Sequence, residues 1–129
     1  MDVARLETLL LESRWLVHPA GEPGTLRSGF GAPGATFAAR VRLGPERLEI
    51  VVTPFVAAPA PHRAAALHQR LLELNAEVVM ARFALDPDGA VVLCVDWPRA
   101  NLDDSEVRDA LDAASYYADR HYAELSELA

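Results

Sequence analysis

The sequence predicts an α+β fold: an antiparallel sheet of about five strands with three helices, in the order α-β-β-β-α-β-β-α. Two observations carry this prediction. The stretch 67–98 reads as the end of a helix, a strand, a tight turn and a second strand, with period-two alternation on both sides of the turn. The alternating residues are Val79, Ala81, Phe83 and Leu85 before it and Val91, Leu93, Val95 and Trp97 after it. In addition, no helical crossover joins parallel strands, so the strands pair antiparallel. A hairpin with one fully apolar face has to be covered, and the helices supply the cover.

The turn itself is Asp86-Pro87-Asp88-Gly89. Pro87 pre-sets φ for the second turn position, Asp88 suits the third, and Gly89 takes the left-handed conformation that follows.

From the start of the chain, residues 2–16 read as a helix. Val3, Leu6, Leu10 and Val17 fall on one side, with Leu9 and Leu16 at its edge, while Leu11 and Trp15 lie on another. Two apolar stripes mean either two contacts or a Trp15 that folds back over a loop. Residues 18–23 are a connector and 25–30 a short strand. The glycine-rich residues 29–34 read as a turn, because no Lys-Ser/Thr pair and no helix follow to make a phosphate loop. Residues 36–43 and 47–54 form a second hairpin around Gly44-Pro45-Glu46. Its inward positions are Phe37, Ala39, Val41, Leu43, Leu48, Ile50 and Val52, and Pro54 ends the strand or places it at an edge.

An apolar linker, 55–61, leads to a helix over 62–76, with Pro61 in its first turn. Ala64, Leu67, Leu71 and Leu74 make the buried face, and Asn75 marks the terminus as a residue that tolerates the left-handed cap. The last helix carries the clearest start signal. Asp103 is the N-cap, Glu106 completes a capping box, and Leu102 and Val107 form a hydrophobic staple. Its seam is Val107, Ala110, Leu111, Ala114, Ala118, Tyr122 and Leu125, with Tyr116 an aromatic on the charged opposite face.

At 129 residues and 51% hydrophobic content the chain is a single globular domain, 1–129. A net charge of -7 argues against a nucleic-acid backbone as direct ligand, since phosphate recognition needs clustered positive charge. All 12 basic residues are Arg, which reads as codon bias of a GC-rich bacterial genome. Asp2, Glu7 and Glu12 interrupt the N-terminal stretch, so it is not expected to be a signal peptide, and no apolar run approaches a membrane span. The single Cys94 allows no internal disulfide. The expected location is the cytoplasm.

The same element order, with Leu71-Leu72-Glu73-Leu74-Asn75 closing the middle helix, Phe83-Ala84-Leu85-Asp86-Pro87-Asp88-Gly89 on the hairpin and Leu102-Asp103-Asp104 opening the last helix, resembles the YbjN-like family. That family shares its fold with the chaperones of bacterial type III secretion. The resemblance implies a cytoplasmic module that binds other proteins and often dimerises. It brings no catalytic residues and no cofactor with it.

The residues themselves agree. His18, His62, His68 and His121 show no metal-ligand spacing, and His68 reads as a core-edge histidine. Asp86-x-Asp88-Gly89 is similar to the start of a calcium loop but lacks its distal ligands. No Gly-x-Ser-x-Gly elbow is present, and Cys94 has no neighbouring His in sequence.

The outward sheet face is the anomaly. Val51, Val78, Met80, Ala84, Val92 and Cys94 mix there with Arg40, Arg42, Arg82 and Asp96, a blend that suits a protein interface. Alternatively, a helix covers this face too, or β-propensity alone selects the valines. Trp15 and Tyr116 are further candidate contact residues. Two functions follow: a non-enzymatic, chaperone-like protein-binding module working as a homodimer, or a small-ligand sensor or cryptic enzyme with a pocket between helices and sheet.

Overall fold

A computed structural model describes residues Met1–Ala129. It contains α1 (Val3–Glu12), β1 (Leu16–Pro19), β2 (Thr25–Ala32), β3 (Ala35–Leu43), β4 (Arg47–Val56), α2 (Ala64–Asn75), β5 (Ala81–Leu85), β6 (Val91–Pro98) and α3 (Asp104–Leu128). A single 3-10 turn, Pro61–Arg63, precedes α2. The strands form one antiparallel sheet in the order β1-β2-β3-β4-β6-β5. The sheet thus has six strands where the sequence predicted about five.

The extra strand is β1, which the sequence divided between the end of the first helix and the connector that follows it. Helix α1 stops three residues before Trp15. The Arg14 N–H donates to the Leu11 carbonyl and the Trp15 N–H to the Leu10 carbonyl, with Arg14 at φ 65°. This is a Schellman closure. Arg stands where glycine is the usual signal, so the stop is silent in the sequence. Trp15 then turns inward, 4% exposed, and stacks on Phe30 with ring centroids 4.3 Å apart.

Three other boundaries move. Strand β2 runs on through Gly29 and Gly31 to Ala32, and only Pro33-Gly34 make the turn, with Gly34 at φ 83°. At Gly29 a Cβ would lie 2.9 Å from the Phe37 carbonyl oxygen, so the glycine allows close strand pairing. Strand β4 continues past Pro54 to Val56, and Phe55 and Val56 are core residues. The β4–β6 register shifts between Val52 and Val56, so Pro54 sits where the ladder is already interrupted. Finally, β5 begins at Ala81, because Met80 adopts φ 62° and breaks the alternation.

One cluster of 29 buried residues joins the inner sheet face to all three helices. It includes Leu6, Leu9 and Leu10 of α1, Leu67, Leu71 and Leu74 of α2, and Val107, Leu111, Ala114, Ala118 and Leu125 of α3. An aromatic series runs through it, from Trp15 and Phe30 to Phe37, Phe55 and Phe83, with Tyr122 edge-on to Phe37. The capping box of α3 forms as its sequence requires. Asp103 accepts from the Glu106 N–H, and the Glu106 carboxylate accepts from the Asp103 N–H and the Trp97 indole.

Asn75 does not take the left-handed cap. Its side-chain amide instead reaches β5, accepting from the Phe83 N–H at 2.7 Å and donating to the Phe83 carbonyl at 3.0 Å. One side chain therefore satisfies both backbone groups that the middle of this edge strand turns away from β6.

His121 faces the core beside Phe83 and Tyr117 and is 7% exposed, whereas the seam predicted from sequence contained Tyr122 and not His121. Burial pushes its imidazole below the ordinary range; Arg120 and Arg70 act in the same direction, Glu124 and Glu77 against. The unfolded chain then binds this proton more readily than the folded one, so His121 contributes stability above its unfolded pKa and loses it as pH falls. The melting temperature is expected to drop between about pH 7.5 and about pH 5.5, ahead of carboxylate titration. His121→Gln should flatten that segment of the melting-temperature profile; an unchanged slope in the variant would remove His121 as its source.

Candidate functional site: the uncovered sheet face

All three helices lie on the inner face, which leaves the other face of the sheet bare. Strand alternation fixes what it carries. One row runs across five strands in register: Arg27, Arg40, Val51, Cys94 and Arg82. His18 extends it onto β1. The next row is Thr25, Arg42, Glu49 and Asp96. Ala84 pairs with Val92 on the other side.

Val92 and Cys94 are only 8% and 5% exposed although no helix covers them, and both stand outside the main core cluster. Their neighbours screen them instead. Arg82 folds over this patch into a close ion pair with Asp96. On β4, Glu49 accepts from Arg47 at 2.7 Å and lies 3.7 Å from Arg42. Burial raises the Cys94 thiol above its ordinary pKa, more than the adjacent Arg82 lowers it. Cys94 is thus held as a thiol and packs as a small apolar residue, not as a nucleophile.

The face is concave. A depression of ≈ 350 Å³ opens over Val51 and Val92, walled by Arg40, Arg42, Glu49 and Thr25. A second, of ≈ 450 Å³, adjoins it and is lined by His18, Arg27, Ala38 and again Arg40. Thr53 borders both, so the two form one elongated groove. The Thr25 hydroxyl is buried and has no hydrogen-bond partner.

Of the contact residues predicted from sequence, Val51, Val92, Cys94, Arg40, Arg42 and Arg82 do share this face. Val78 and Met80 do not: Val78 packs against the core, and Met80 sits in the turn before β5. Trp15 is not a contact residue: it is buried in the core, stacked on Phe30 of β2. Tyr116 is exposed on α3, with its ring 5.3 Å from that of Tyr117, whose hydroxyl accepts from the Val79 N–H. Tyr116, Val79 and Met80 are all exposed, so a second apolar patch exists near the start of β5. Thr25 and Arg27 escaped the sequence reading, although the strand that carries them was recognised. Counting its parity against β3 would have found them.

The interior between helices and sheet, where the sequence allowed a ligand pocket, is filled by the core cluster. No three His, Cys, Asp or Glu side chains converge to hold a metal ion. No helix is long and apolar enough to cross a membrane.

Comparison with known proteins places this face in context. The family model of YbjN, described as "putative bacterial sensory transduction regulator", matches residues 2–127. No curated protein matches the chain. Among solved structures, "YbjN, a putative transcription regulator from E. coli" superposes with a TM-score of 0.68 at 16% identity, covering 96% of this chain and 93% of that one. The heterodimeric ExoU–SpcU complex from the type III secretion system of Pseudomonas aeruginosa gives a TM-score of 0.61 at 20% identity, with 94% of each chain covered. These likenesses establish the secretion-chaperone fold.

Proposed function

The chain belongs to the YbjN family, and from that premise we propose that it is a non-enzymatic, chaperone-like module that binds a bacterial partner protein in the cytoplasm and works as a homodimer. The observation that carries the reading is the bare sheet face, with Val51, Val92 and Cys94 forming an aliphatic floor between arginines. Apolar floor and charged rim are the anatomy of a protein interface. The structural neighbour from the ExoU–SpcU complex is itself part of a protein heterodimer, which supports a protein as ligand. The absence of catalytic spacing in the sequence and the protonated Cys94 favour binding over chemistry. The patch of Tyr116, Val79 and Met80 is assigned to self-association, which leaves the sheet face free for the partner.

Affinity capture from the native bacterium with wild-type protein and with a Val51→Asp/Val92→Asp variant tests the partner face. The double variant should fold and lose the proteins that the wild type retains. An unchanged retained set would move the partner site elsewhere. Sedimentation of Tyr116→Arg should show a monomer where the wild type is a dimer; a wild type that is monomeric at ~100 μM, well above the micromolar dissociation constants of working dimers, would end the dimer assignment.

A further inference from the structure

We propose that the groove on the bare sheet face takes an extended acidic segment of the partner, with its carboxylates seated on Arg27, Arg40 and Arg42. This inference rests on the partner-binding reading above and adds the chemistry of what is bound.

The first observation is uncompensated like charge. Arg27 and Arg40 stand directly opposite each other on β2 and β3, with His18 opposite Arg27 on the other side. Like charges in that position destabilise a sheet unless something neutralises them. The chain has acids to spare, with 19 Asp and Glu against 12 Arg. Few are used here, and those loosely. Arg27 makes no ion pair, Arg40 reaches Glu22 only at 3.6 Å with both groups more than half exposed, and Arg42 reaches Glu49 only at 3.7 Å. Glu49 and Asp96 are engaged more closely by Arg47 and Arg82. An acidic protein has therefore left one guanidinium group unpaired and two only loosely paired along one groove.

The second observation is the Thr25 hydroxyl. Thr25 is 4% exposed, its oxygen has no partner, and it lines the depression beside Arg40 and Arg42. A buried hydroxyl without a hydrogen bond is costly. A carboxylate oxygen placed between the two arginines would accept from it, joining charge-assisted bonds to the guanidinium groups. Glu49 is already held by Arg47, and Asp86, at the far end of the depression, accepts from the Asp88 and Ala90 N–H groups. Neither competes freely for Arg40.

The third observation is shape. The two depressions share Arg40 and Thr53 and together cross most of the sheet. Five strands at ~4.8 Å match about six residues of extended chain at ~3.3 Å each. In such a chain alternate side chains face the groove, so acids two residues apart address neighbouring arginine rows while an apolar residue meets Val51 and Val92.

The test uses the full chain and fluorescein-labelled peptides of eight residues, Glu-Ser-Glu-Ser-Val-Ser-Val-Ser or the same with Gln for Glu, which put two acids (or amides) and two valines on one face, read by fluorescence anisotropy. The Glu peptide should bind and weaken steeply with added salt, and the Gln peptide should bind about tenfold more weakly or worse, as expected for loss of charge-assisted bonds. Arg27→Gln/Arg40→Gln should weaken the Glu peptide by about tenfold, and Thr25→Val severalfold, with Thr25→Ser restoring it. Circular dichroism confirms that each variant is folded. Equal binding of the Gln and Glu peptides, both lost in Val51→Asp/Val92→Asp, overturns the acidic-segment inference while leaving the partner face intact. Failure of both peptides to bind overturns it as well; the capture experiment then decides the broader reading by itself. Displacement of the Glu peptide by micromolar glutarate would show a site for a free dicarboxylate, and loss of the dimer in Arg27→Gln/Arg40→Gln would show a second copy in the groove. Either result replaces the proposed occupant.

Discussion

Phe83→Asp is expected to leave the protein unfolded at room temperature, while Val92→Asp, on the neighbouring strand, leaves it folded. The two positions are both more than nine-tenths buried, so exposure alone does not separate them. Their surroundings do. Phe83 lies in the core cluster, its ring 5.9 Å from Phe55 and 5.8 Å from His121. An aspartate there loses the aromatic packing, about 3–5 kcal/mol for such a truncation, and adds an unpaired buried charge worth several more. A domain with a total stability of about 5–15 kcal/mol does not survive that sum. Val92 lies under side chains only, and an aspartate there can turn into the open groove toward water and Arg40. Its cost should be about 1–2 kcal/mol, a shift of several degrees in the thermal melt. A Val92→Asp variant as damaged as Phe83→Asp would mean that the second sheet face is core and not a surface.

The second large effect is expected at Asn75. Asn75→Ala removes both hydrogen bonds to Phe83 and strips the middle of β5 of its cover. The Phe83 N–H and carbonyl are then left facing a methyl group, a loss of about 2–4 kcal/mol. The cost is not confined to stability. An edge strand with open donors and acceptors pairs with other chains, so the variant should also aggregate faster near its melting point. Asn75→Asp separates the two bonds: it keeps the acceptor for the N–H but sets a part-buried carboxylate against the carbonyl, and should be less stable than alanine. Hydrogen exchange at the Phe83 amide reads the bond directly. Protection unchanged in Asn75→Ala would show that this side chain does not guard the edge.

What the sequence disclosed and what it withheld divide along a physical line. The turn at Asp86–Gly89 and the capping box at Asp103 are local signals, complete within a few residues, and both form as expected. So did the outward parity of Arg40, Arg42, Val51, Arg82, Val92 and Cys94, because a strand that buries one face fixes the direction of every side chain in it. Errors arose where an element stopped or continued for a reason outside its own pattern. Alternation carried Val78 and Met80 onto the sheet because nothing in Val-Val-Met announces a left-handed residue at Met80. Helical periodicity carried α1 into Trp15 because Arg14 closes the helix without glycine. Proline at 54 suggested an end, yet the strand passes through it at a register shift that only the pairing with β6 creates. Asn75 was placed at a helix terminus correctly, but its partner is eight residues away on another element, beyond any periodic signal.

The contact between α1 and α3 has a kinetic consequence. Arg5 binds Asp104 across 99 residues of sequence and Arg108 approaches Glu12 across 96, so the first helix is fastened by the last. Leu6, Leu9 and Leu10 pack against β1 and α3 alike, so one side of their packing is missing until α3 has been made and has docked on the sheet. On a ribosome, α1 emerges before α3 and waits with that side of its leucine stripe open while the sheet between them is made. Closing so long a loop comes late and slowly, and the two central hairpins, with their short-range pairing, have every reason to form first. This is a protein whose own nascent chain passes through a state with an exposed leucine stripe, the kind of surface that chaperones recognise.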